Sequence, residues 1–326
     1  MTRITDRIER ELGVPGLAAL LAERVEPTDL QSLLLEVYRL SAARKGAPAL
    51  LSEYEANRFV RASAVSPLHL LEWDRVALAQ LPPECEAIEL SPLCPLGACS
   101  VVAGVSQDWS VPTARNTEVV SDSTNVLALE AALRRRRLLR GDRRSQQAVH
   151  LAASQRVLRA QRYQDPRLVP HFRLLALCSA GRDAGGFRFE AGALALHIHF
   201  YLSALRAYLA QPVPLRVSIT AFGPASGFTA VTDELFSGVR AQFERVECAL
   251  DPQRESGRGY YAGLCFHVHA QAPSGQWLEL VDGGAVDWTQ RLLSNAKERL
   301  VISGIGSERV CALRDEGKAT PGIRSD

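Results

Sequence analysis

Apolar runs broken by glycine fill the C-terminal part of the chain and restrict its fold more than any other feature. R-G-Y-Y-A-G-L-C-F-H-V opens a strand over Tyr260–Val268. A second covers Trp277–Val281 and leads into V-D-G-G-A-V-D, and a third lies in the final V-I-S-G-I-G-S-E-R-V, Val301–Val310. Short apolar alternation bounded by turn residues predicts strands. Further upstream, H-F-R-L-L-A-L-C-S-A-G-R-D-A-G-G-F-R-F-E reads as strand, loop, strand, and L-R-V-S-I-T-A-F after Pro214 as another strand. Successive strands without a helix between each pair predict an antiparallel-rich α+β fold, a mainly antiparallel sheet flanked by helices.

Helical spacing is confined to other segments. Residues 1 to about 60 form a helical extension, in which L-Q-S-L-L-L-E-V-Y-R-L-S-A-A-R-K-G ends at Gly46, a suitable C-cap. S-P-L-H-L-L-E-W-D-R-V-A-L-A-Q-L has a serine cap and a proline in its first turn, and stops at Pro82 and Pro83. S-D-S-T-N-V-L-A-L-E-A-A-L-R-R-R-R predicts a helix capped by Ser123 or Thr124, and D-E-L-F-S-G-V-R-A-Q-F another.

Seven cysteines, an odd number without a C-x-x-C pair, exclude a disulfide framework and a zinc ribbon and fit a reducing cytoplasm. The charged N-terminus and the lack of a long apolar run indicate neither secretion nor membrane insertion. A net charge of +2 gives no global attraction to nucleic acid. The run Arg134–Arg137 with Arg140, Arg143 and Arg144 is either an RNA-phosphate contact or a solvated helix face followed by a loop. His197 with His199, and His267 with His269, are H-x-H pairs that on a strand would share a face. No third ligand stands at a suggestive spacing, so no metal is expected. The tyrosine pair Tyr260–Tyr261 is either a satisfied core pair or a polar pocket wall.

The order Y-Y-x-G, G-G-x-x-D and G-x-G-x-E-R resembles the C-terminal half of a class II aminoacyl-tRNA synthetase core of the histidyl type. Upstream, C-E-A-I-E-L-S-P-L resembles the family's first motif, and S-D-S-T-N-V its substrate-binding R-P-E-x-T. H-F-R-L-L with the G-R-D-A-G-G-F-R-F loop resembles its second motif. The resemblance covers roughly Ser66 to Val310. It implies a helical extension over residues 1–60 and a synthetase-like core over 61–326 without an anticodon-binding domain.

By the same resemblance, Asp122, Thr124, Tyr260, Tyr261, Gly283 and Gly284 bind an amino acid, histidine or a relative. Arg173, Arg182, Gly304, Gly306 and Arg309 bind ATP, with Arg173 and Arg309 catalytic and Mg²⁺ as cofactor, and Pro92 lies at a homodimer interface. Three departures stand out: Leu175 replaces the second motif's glutamate, Val120 and Ser121 replace an arginine and a proline, and Ser256 replaces an arginine before the tyrosines. Ordinary tRNA charging is therefore not expected. An aminoacyl-adenylate-forming enzyme, a histidine-sensing regulatory subunit of an ATP phosphoribosyltransferase working with a partner enzyme subunit, and an RNA-binding or scaffold protein are the functions to be separated.

Overall fold

In a computed structural model, the structure describes residues 2–161, 170–209, 213–222 and 228–318. Four helices come first: α1 (Thr2–Leu12), α2 (Leu17–Arg24), α3 (Pro27–Ala42) and α4 (Ala47–Ala56). None of α2, α3 or α4 has a buried residue, and Leu33, Val37, Tyr38, Leu50 and Tyr54 stand exposed along them.

The remaining elements are α5 (Pro67–Leu78), β1 (Cys85–Ala87), β2 (Leu93–Pro95), β3 (Val111–Thr113), β4 (Thr117–Val119), α6 (Ser123–Gly141), β5 (Val149–Leu158), β6 (His171–Arg182), α7 (Arg188–Tyr208), β7 (Leu215–Ala221), α8 (Thr229–Gln242), β8 (Val246–Leu250), β9 (Leu264–Gln271), β10 (Trp277–Val286), α9 (Trp288–Leu293), β11 (Glu298–Gly306) and α10 (Ser307–Lys318). Eight strands form one sheet in the order β1-β5-β6-β11-β10-β9-β7-β8, and β2-β4-β3 form a small second sheet. Every pairing inside the large sheet is antiparallel except the two at its edges, β1 with β5 and β7 with β8. The α+β class expected from the sequence is the one observed.

Side-chain alternation along the strands assigns the two faces. Leu175 and Leu177 of β6 point into a core with α5, α7, α8 and α10, whereas Leu174, Ala176 and Cys178 point towards α6, α9 and the small sheet. A strand buried on both faces needs a continuous apolar run, which is why β6 reads L-L-A-L-C.

Three expectations are corrected here. The F-R-F-E segment after Gly186 is not a strand but the first turn of α7, entered through positive φ at Gly185, Gly186 and Phe187. Four alternating residues are too few to distinguish a strand from the start of an amphipathic helix. The arginine run is not a uniformly solvated face, because Arg135 is fully buried against Glu298. His197 and His199 also lie on helix α7, where a separation of two residues turns them to different sides. His197 instead bridges Ser179 (2.9 Å) and Ser303 (2.8 Å), and burial lowers its pKa to about 3.

Candidate functional site

Asp122 is the N-cap of α6. Its Oδ1 accepts from the Thr124 backbone N–H (2.9 Å) and the Thr124 hydroxyl (2.7 Å), satisfying a free helix donor as Asp does at this position. Its Oδ2 accepts from Arg159 Nη2 at 2.8 Å. The segment is fixed to the end of β5 by Leu158 N–H to Val120 O (3.0 Å) and Arg159 Nε to Ser121 O (3.0 Å). The Arg159 guanidinium also lies 5.1 Å from the Phe172 ring centroid.

The tyrosines stand in the turn before β9 rather than within the strand. Tyr261 N–H closes the turn onto Gly257 O at 2.9 Å, and Gly257 and Gly259 hold positive φ. Tyr260 packs edge-on between Tyr261 and Trp288, with ring centroids 5.0 and 5.6 Å away. Tyr261 donates its hydroxyl to Asp282 Oδ1 at 2.9 Å, and Arg254, itself buried, donates Nη2 to the same oxygen at 2.8 Å. Burial raises both phenol pKa values well above their ordinary range. For Tyr260 the Asp122 charge adds to this while Arg159 and Thr124 oppose it, so the two halves of the site act on one ring. Both phenols are therefore neutral hydrogen-bonding groups at physiological pH.

The strand register places this cluster on a trough in the α6-side face. Asp282 of β10 faces Gly304 of β11 and His267 of β9, and Gly306 faces Leu174 of β6. Gly284, Gly304 and Gly306 share that face and leave it bare between Leu174 and Asp282. The absence of a side chain at Gly284 is what seats the tyrosine, since a Cβ there would lie 2.7 Å from Tyr261 Cδ1 and 2.7 Å from Cys265 Cβ. Arg309, exposed on the first turn of α10, closes the end of the trough with Nη1 donating to Glu279 O at 3.1 Å. Gln155 Oε1, on the same face, and Asn125 Oδ1 are buried without a hydrogen-bond partner among the described residues. Such acceptors carry a desolvation cost that a bound donor would remove.

Thus Asp122, Thr124, Tyr260, Tyr261, Gly284, Gly304, Gly306 and Arg309 border one surface. Arg173 does not. It lies on the opposite face, its guanidinium on Asp74 of α5 and its backbone N–H on the Glu308 carboxylate. Arg182 is at the far end of β6, opposite Glu298, and Gly283 faces Ser303 and Phe266 on the α7 side. Pro92 lies behind the Asp122 segment, its carbonyl accepting Val120 N–H at 3.1 Å. The guanidinium beside Asp122 is Arg159, which sequence reasoning missed. Its signal was the arginine ending an apolar strand in V-L-R-A-Q-R, one strand earlier than the H-F-R-L-L run.

The fold has known counterparts. Over 79% of this chain and 82% of the other, it superposes with a TM-score of 0.57 on the ATP phosphoribosyltransferase regulatory subunit/histidyl-tRNA synthetase of Bacillus halodurans, at 14% identity. Over 81% of this chain and 72% of the other, it superposes with a TM-score of 0.55 on apo histidyl-tRNA synthetase of S. aureus, again at 14% identity. The chain has the histidyl-type class II synthetase fold. No protein-family model matches the sequence, and no curated protein does so. Likeness at this identity concerns the fold, and the chemistry has to be argued from the site.

Proposed function

We propose that the chain binds an amino acid, histidine or a close relative, with its ammonium group on Asp122 and its side chain against Tyr260 and Tyr261, and binds ATP along the glycine trough between Arg159 and Arg309. The observation that carries this reading is the continuity of Asp122, the tyrosine pair and Asp282 on one sheet face. That surface offers carboxylates to an ammonium group and neutral phenols to a polar ring edge. In the catalytic form, a carboxylate oxygen of the amino acid attacks the α-phosphorus of ATP and pyrophosphate leaves. Arg159 and Arg309 then neutralise the charge that develops on the phosphate oxygens. Magnesium enters only as the counter-ion carried by the nucleotide.

A second reading, a non-catalytic amino-acid sensor working with a partner enzyme subunit, draws on Arg254, the arginine two positions before Ser256 and so the nearest upstream stand-in for the one Ser256 replaces. This arginine is held by Ser256 O (2.8 Å) and Asp282, so its guanidinium is already occupied within the protein. An RNA contact through the arginine run is disfavoured by the internal engagement of Arg134 with Glu86 and Glu130 and of Arg135 with Glu298.

Calorimetric titration tests the proposal. Histidine should bind the wild type and fail to bind Asp122→Ala, and an absence of binding by any of the twenty amino acids would refute the pocket. Arg309→Ala should weaken Mg-ATP binding about ten- to hundredfold, as expected from roughly 1.5–3 kcal/mol for a charge-assisted contact. Wild-type protein that binds histidine but not Mg-ATP, and exchanges no pyrophosphate, would select the sensor.

A further inference from the structure

His267 and His269, two apart on β9, share the trough face because strand side chains alternate. The strand beside them would ordinarily place only one of two carboxylates there, since Glu279 and Asp282 differ by an odd number of positions. A β-bulge resolves this. Glu279 pairs with His269, Val281 with Val268 and Asp282 with His267, so Leu280 is an extra residue on β10. Leu280 and Val281 both turn into the α7-side core, and Glu279 and Asp282 both emerge on the histidine side. The ligand atoms of His267, His269 and Glu279 all lie within 4.8 Å of one another.

We propose that His267, His269 and Glu279 form a binding site for a divalent transition-metal ion, best matched by zinc. The His267–Glu279 pair has the spacing of two ligands around a common ion. His267 Nε2 stands 3.4 Å from Glu279 Oε2 and 3.6 Å from Asp282 Oδ1. Donors bound at about 2.0–2.1 Å to a tetrahedral ion lie about 3.3–3.4 Å apart. His269 Nδ1 is buried with no hydrogen-bond partner among the described residues, an orphan that coordination through this nitrogen would satisfy. Two imidazoles with one carboxylate select a borderline ion such as zinc over magnesium or calcium, which prefer all-oxygen sets.

The surrounding charges permit a cation. Arg216 stacks 4.0 Å from the Trp277 ring centroid and pairs with Glu247 at 2.9 Å, Arg254 is neutralised by Asp282, and Arg309 donates to the backbone carbonyl of Glu279 rather than to its carboxylate. Glu279 is about half exposed, its side chain retaining 46% of its accessible surface. The position left open by three protein ligands therefore faces the trough, where water or a polar group of a bound molecule completes the set.

The test uses the full chain stripped of metal by chelator dialysis, with no amino acid or nucleotide present. Its outcome is thus separable from that of the amino-acid reading. Zinc chloride titrated calorimetrically should bind with one-to-one stoichiometry, and cobalt(II) should show the visible absorption of a four-coordinate ion. His267 is nearly fully buried and its replacement endangers folding, so the informative variants are His269→Gln and Glu279→Gln at more accessible positions. Each should lower zinc affinity at least about tenfold, while His199→Gln, on helix α7, should leave it unchanged. Absence of stoichiometric zinc binding to the wild type, affinity unaffected by both variants, or an equal loss in His199→Gln would each overturn the proposal.

Discussion

Arg135 and Glu298 illustrate how a single residue pair ties distant segments together. Both side chains have no solvent exposure, and Arg135 holds Glu298 bidentately at 2.8 and 2.9 Å while its remaining donors reach the Gln147 and Ser145 carbonyls. The pair clamps α6, which carries Asp122 at its start, to the first residue of β11, which carries Gly304 and Gly306 at its end. Removing one partner leaves the other charge buried without compensation. Glu298→Ala should therefore cost about 3–5 kcal/mol in urea denaturation. A loss below about 1 kcal/mol would show that solvent reaches Arg135 and that the clamp is not structural. The sequence displayed four consecutive arginines but gave no sign of which was buried, because the partner lies 163 positions away and only the sheet brings it near.

Among the elements, the C-terminal strands were the legible part. Their glycines and apolar alternation marked β9, β10 and β11. Two features were hidden. Arg159, one residue beyond the end of β5, stands beside Asp122, whereas Arg173 pairs across the strands with Arg156 and turns to Asp74 on the other face, a difference that only the register reveals. The bulge at Leu280 was equally hidden, since it is a property of pairing rather than of either strand alone. Gly284 tests how tightly β10 seats the tyrosine turn. A methyl group at that position meets Cys265 Cβ, Tyr261 Cδ1 and the Leu264 carbonyl, all closer than 3 Å, and the backbone carbonyl cannot yield. Gly284→Ala should destabilise by about 1–3 kcal/mol, and by displacing Tyr261 it should also weaken amino-acid binding. Gly304→Ala meets only the flexible end of Leu174, at 3.0 Å, and should be milder in thermal denaturation. Equal effects of the two variants would argue against a seat specific to Gly284.

For the whole molecule, the arrangement of the sheet leaves the two edges unequal. β1 is a three-residue edge strand paired on one side to β5, and Arg134 holds the Glu86 side chain there, so the unpaired edge is short and charged. Such an edge resists adding another strand. Immediately after it, Leu93, Leu96 and Val101 are exposed around the segment that follows Pro92. Exposed apolar side chains in one short segment beside a guarded edge favour burial against a second copy through side-chain packing rather than sheet extension. A twofold axis near Pro92 would bring the same patch from both copies together, as an isologous interface requires. Since the Pro92 carbonyl accepts from Val120, two residues before Asp122, a partner packed there would also stiffen the substrate-side segment. Light scattering at micromolar concentration should therefore give twice the 35.6 kDa chain mass. Leu93→Glu combined with Leu96→Glu should return the chain to a monomer with weaker amino-acid binding. A wild-type monomer would sink the idea, and a dimer untouched by the double substitution would move the interface elsewhere.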